Sequence, residues 1–84
     1  MPDDNSPVQH TIAMRKVDPD TNTARFYLLT LERDLFGRFA VTRQWGRAST
    51  AGRVIAEPFE TELEAGEAMG RLAAVKRRRG YRDL

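Results

Sequence analysis

Apolar and polar residues alternate along four stretches of the chain, and apolar residues recur every three or four positions along a fifth. The first pattern predicts strands, the second an amphipathic helix. In His10–Val17 the alternation sets Ile12, Met14 and Lys16 on one face. In Ala24–Arg33, Phe26, Leu28 and Thr30 face one way, and Tyr27, Leu29 and Leu31 the other. Both faces are apolar, which predicts a central strand. Arg38–Arg47 and Arg53–Phe59 form the third and fourth strands, with Pro58 marking a strand end or an exposed edge. Asp18-Pro19-Asp20-Thr21-Asn22 and Asp34-Leu35-Phe36-Gly37 supply turns between neighbours. Such short connections imply an antiparallel meander.

The helical stretch begins at Thr61-Glu62-Leu63-Glu64, a capping box. Glutamates occupy its first turns and Lys76–Arg79 its last, as the helix dipole favours, and Gly80 ends it. Ala65, Ala68, Met69, Leu72, Ala73 and Val75 make a stripe of mostly small residues, so the helix is expected to lie close against the sheet. Gly66 and Gly70 each cost about 1 kcal/mol in a helix interior, and close approach to other backbone is the expected reason for them. The fold class is therefore α+β: an antiparallel meander of about four strands with one C-terminal helix packed on it. Residues 1–9 are polar, acidic and proline-punctuated, and are expected to be a disordered tail; residues 10–84 form a single domain.

Composition narrows the chemistry. With 84 residues, no cysteine and one histidine, the chain has no disulfide scaffold, no thiol nucleophile and no His-paired zinc site. No apolar run is long enough to span a membrane or to serve as a signal peptide. The expected location is a reducing compartment, the cytoplasm. No catalytic constellation or glycine-rich phosphate loop is present, so neither enzymatic activity nor a metal or other cofactor is expected. The net charge is only +2, but residues 71–84 carry Arg71, Lys76, Arg77, Arg78, Arg79 and Arg82 against one acid, Asp83. That asymmetry suits a polyanion.

The third strand ends in the candidate site. Alternation places Arg43, Trp45 and Arg47 on one face, a cation, an aromatic plate and a cation over about 13 Å. A phosphate–sugar–phosphate element has the matching pattern: an indole stacks on a base or sugar and arginines meet phosphates. Gly46 leaves room for a backbone to approach. The same indole also suits a core position with the arginines stacked on it, and the basic run suits a helix end in water.

Trp45-Gly46-Arg47 resembles the tripeptide for which the WGR domain is named. The surrounding pattern is similar too: Arg25-Phe26-Tyr27 opens a strand upstream, Gly52 lies in the following turn, Phe59 ends the next strand, and Lys76 with Gly80-Tyr81 closes the helix. The likeness runs from about residue 10 to residue 82. It implies a small antiparallel sheet with one packed helix. In poly(ADP-ribose) polymerases such a domain contacts a DNA break and relays binding to the catalytic region; bacterial proteins carry it alone or fused to other modules. Carried over by position, Trp45 is the stacking residue, Arg47 the phosphate or partner contact and Gly46 the close-approach residue. Two departures stand out: Ser49 replaces a glycine common in the family, and Ala73, Ala74 and Val75 are smaller than usual. These 84 residues hold no polymerase catalytic region, so the relay role is not carried over.

The resulting expectation is a non-enzymatic, sequence-nonspecific module for DNA ends, nicks or single strands, with RNA as a second nucleic-acid partner and a nucleoid location in a bacterium. Its site comprises Arg43, Trp45, Gly46 and Arg47, extended by Lys76, Arg77, Arg78 and Arg79. The alternative is a protein-interaction adaptor that uses the same Arg-Trp-Arg surface.

Overall fold

A computed structural model describes residues 8–84. Five strands and one helix follow in chain order: β1 (Val8–Asp18), β2 (Thr23–Arg33), β3 (Phe39–Arg47), β4 (Arg53–Phe59), α1 (Glu62–Arg78) and β5 (Arg82–Asp83). The sheet runs β4-β3-β2-β1-β5, with all the neighbours antiparallel. The doubly apolar β2 is central, as its pattern requires. The fold class is that expected, with one addition. β5 pairs Asp83 with Met14 and Arg82 with Arg15, and two residues are too few to show an alternating pattern. The expected tail falls mostly on residues 1–7, which lie outside the described residues; Val8 and Gln9 open β1.

Each turn has its own fastening. Asp18 Oδ1 accepts the Asp20 amide at 3.0 Å, and Asn22 takes a positive φ of 53°, which asparagine tolerates. After β2, Asp34 Oδ1 accepts the amides of Phe36 and Arg38, each at 2.9 Å. At the start of α1, Thr61 Oγ1 accepts the Glu64 amide at 3.1 Å and donates its proton to Glu64 Oε1 at 3.0 Å. Gly80, at φ 97°, reverses the chain after the helix. The Gly80 amide bonds to Arg77 O and the Tyr81 amide to Lys76 O, the paired bonds of a Schellman ending. That reversal returns the chain to β1, where the Leu84 amide meets Ala13 O at 2.9 Å.

One face of the sheet carries the core. Met14, Tyr27, Leu29, Leu31 and Val41 are buried against Ala65, Met69 and Ala73, ringed by Ile12, Phe39, Trp45, Phe59, Leu72 and Tyr81. The alanines let α1 settle closely on the strands. Gly66 and Gly70 play no part in this. A Cβ at either would meet nothing within 4 Å, and both lie on the exposed side of the helix. The close approach expected for them from the sequence is absent.

Candidate nucleic-acid interface

Trp45 lies in β3 between Tyr27 of β2 and Arg53 of β4. The two readings left open by the sequence, core and surface, are each half right. The ring packs against the edge of the core yet stays partly exposed. The exposed part lines a hollow of about 320 Å³ between β3 and the C-terminal half of α1, together with Tyr27, Arg43, Leu72, Val75, Lys76 and Arg79. No carboxylate is among those residues.

Cations and aromatic rings interleave around this hollow. The Arg43 guanidinium is 5.9 Å from the centre of the Trp45 ring. Lys76 Nζ lies 4.7 Å from the Tyr27 ring and 5.4 Å from the Tyr81 ring. Those two rings meet edge-on at 6.1 Å, and Lys16 Nζ stands 5.9 Å from Tyr81. Burial lowers the pKa of Lys76, and the neighbouring Arg79, Arg43 and Lys16 charges lower it further. Three cations therefore press on a fourth, the signature of positive potential in a concave surface. Burial raises the pKa of the Tyr27 hydroxyl, against an opposing pull from Arg43.

A second hollow, of about 250 Å³, adjoins the β1–β2 turn and is lined by Lys16, Asp18, Thr21, Thr23, Arg25 and Arg47. Arg25 stands opposite Lys16 on one side and Arg47 on the other. Three cations thus form a row across three strands, an arrangement that repels itself. Among the described residues that line that hollow, Asp18 is the one acid.

The eight residues expected from the sequence fall into distinct places. Arg43, Trp45, Lys76 and Arg79 converge on the first hollow, and Arg47 on the second. Arg77 turns to the chain end, where Nε and Nη2 meet the Asp83 carboxylate at 2.8 and 2.7 Å. Arg78 is exposed on the last turn of α1 and lines neither hollow. The space above Gly46 is taken by the chain itself: a Cβ there would lie 2.8 Å from Gly52 Cα and 3.2 Å from Thr50 Oγ1. Ser49 has no positive φ, so the loop requires no glycine at that position.

Sequence reasoning left Lys16, Arg25, Tyr27 and Tyr81 out of the site. Arg25, Tyr27 and Tyr81 carried the family likeness without being given a role. Their convergence depends on strand register and on the turn at Gly80, and neither shows in local alternation. Among the described residues, no cluster of three His, Cys, Asp or Glu could hold a metal ion, and no helix is long and apolar enough to cross a membrane.

A protein of Sinorhizobium fredii (strain NBRC 101917 / NGR234), called "Uncharacterized protein y4dW", is 36% identical to this chain over 73 residues. The match covers 87% of this chain and 36% of that protein, so the chain spans about a third of the relative's length. No solved structure matches. The family model of the WGR domain matches residues 10–84, which takes in all of β3, α1 and both hollows; the chain belongs to the WGR domain family.

Proposed function

We propose that this chain is a non-enzymatic nucleic-acid-binding module that grips the sugar-phosphate backbone without reading sequence and favours DNA ends, nicks or single strands. The observation that carries this reading is a half-open indole in a hollow of cations without a carboxylate: Trp45 beside Arg43, Lys76 and Arg79. A ring so placed stacks on a base or sugar, while the surrounding cations meet the flanking phosphates. Arg47, with Lys16 and Arg25, continues the positive surface into the second hollow. Gly46 serves this site by seating the loop that follows Arg47. Arg77 and Arg78 stand at the margin. The preference for ends and nicks rests on stacking: the exposed part of the ring needs an unstacked face, and intact duplex offers few. The likeness to the polymerase domains that contact DNA breaks points the same way.

Trp45 is the only tryptophan, so quenching of its fluorescence by short oligonucleotides reports the site directly. Contacts from Arg43, Arg47, Lys76 and Arg79 set the expected slope of log affinity against log salt at about −3 to −4. A flat salt response, or equal affinity for blunt, nicked and closed circular duplex, overturns the reading.

A further inference from the structure

The turn between β2 and β3 holds up two large apolar side chains that the fold does not use. Leu35 is 99% exposed and Phe36 84%. The turn beneath them is nonetheless closely tied. Besides the two amides held by Asp34 Oδ1, the Asp34 amide donates to Arg38 O at 2.7 Å and the Gly37 amide to Asp34 O at 3.2 Å. Gly37 adopts a φ of 83°, and Arg38 Nε stands 3.4 Å from Asp34 Oδ2. The result is a fixed apolar knob, bracketed in sequence by Arg33 and Arg38.

A complementary surface lies at the same end of the molecule. β4 ends at Phe59, opposite Phe39, just beyond the turn, and α1 starts three residues later. Its first two turns border a shallow hollow of about 460 Å³ lined by Glu62, Leu63, Gly66 and Glu67. Leu63 is 72% exposed. The knob is therefore apolar, with Arg33 against the Phe39 ring on one side and the exposed Arg38–Asp34 pair on the other, and the hollow is apolar with acidic flanks. Neither is covered by another of the described residues.

We propose that a second copy of this chain docks here, about a two-fold axis, so that Leu35 and Phe36 of each copy seat on Leu63 and Gly66 of the other. Arg38 then faces the Glu62–Glu67 rim. Knob and hollow share one end of the molecule, as an interface that forms both contacts at once and closes on itself requires. Even if all three exposed side chains on each copy buried the roughly 150 Å² of a small aromatic ring, the apolar part would be at most about 900 Å². The flanking charges bring this towards the 1,200 Å² or so at which specific interfaces begin. The interface lies at the opposite end of α1 from Lys76, so it is separate from both hollows at the Trp45 end.

Sedimentation equilibrium on the full chain tests this. The apparent mass is expected to rise with concentration from 9.6 kDa towards twice that value. The double variant Leu35→Ser/Phe36→Ser is expected to weaken self-association at least about tenfold. Circular dichroism and Trp45 quenching by oligonucleotides should stay unchanged, because both side chains are exposed and remote from the site. Glu67→Arg, on the receiving side, is expected to weaken it too. A single-chain mass at every concentration up to about 1 mM, or a dimer equally strong in the double variant, overturns the proposal.

Discussion

Replacing Gly52 by alanine tests how the loop after β3 holds Trp45. Gly52 has a φ of 75°, a region that costs an L-residue about 1 kcal/mol. The added Cβ would also lie 2.8 Å from Trp45 C and 2.9 Å from Phe26 Cζ, with the Trp45 carbonyl oxygen nearer still. The backbone carbonyl and the half-buried Phe26 ring, on the sheet face away from the core, give way only if the loop or a strand moves, and overpacking of that kind costs about 1–3 kcal/mol. Together these terms predict a loss of roughly 2–4 kcal/mol, out of about 5 kcal/mol for a domain of this size. Urea unfolding followed by Trp45 fluorescence and by circular dichroism measures it, and the melting temperature should fall by at least about 10 °C. Gly37→Ala is the control. Gly37 has a φ of 83° but nothing within 4 Å of its missing Cβ, so only the conformational cost of about 1 kcal/mol remains. Equal losses in the two variants, or a Gly52→Ala change within 0.5 kcal/mol or so of the parent, would refute the steric argument.

Three further outcomes follow from the same structure. Gly70→Ala should stabilise the chain by about 0.5–1 kcal/mol in urea unfolding, because the position is an open helix interior; a loss of stability would show that something contacts it. Trp45→Ala should weaken oligonucleotide binding by about 1–3 kcal/mol, measured by anisotropy of a labelled strand where circular dichroism shows the variant folded; unchanged affinity would remove the ring from the interface. The hydrogen bond from Arg77 holds the Asp83 carboxyl below its usual 3.8, so the pair's contribution is present above that pH and lost as pH falls through the lower, folded value. A carboxylate NMR titration should find the Asp83 midpoint depressed, and Arg77→Ala should return it to the usual range without moving Asp34. A normal midpoint in the parent chain would mean that the ion pair does not persist in solution.

The long elements were legible because each carries its own periodicity. Alternation split β2 into a Phe26, Leu28 and Thr30 face and a Tyr27, Leu29 and Leu31 face, although only packing shows that the second is the core, and the Thr61–Glu64 box marked where α1 starts. The Arg43-Trp45 face was legible for the same reason, since residues two apart in a strand share a side. What could not be read depends on contacts between distant segments. The row of Lys16, Arg25 and Arg47 needs the register of three strands. Arg77 was expected to extend the basic surface, but the turn at Gly80 brings Asp83 back to it. Gly46 looked like a gap left for a ligand, but the Thr50–Gly52 loop occupies it. Gly66 and Gly70 were misread because glycine has no side chain to mark its side of the helix, and they sit beside a stripe in which Ala65, Ala68 and Ala73 are nearly as small.

The row of Lys16, Arg25 and Arg47 has a thermodynamic consequence. Like charges held in register raise the energy of the folded sheet, and unfolding relieves that strain by letting them drift apart. A multivalent anion seated among them reverses the balance, because it binds the assembled row and not the scattered side chains. Heat resistance in dilute buffer thus becomes a gauge of occupancy: inorganic polyphosphate or heparin should delay melting, whereas monovalent salt at equal ionic strength should do less.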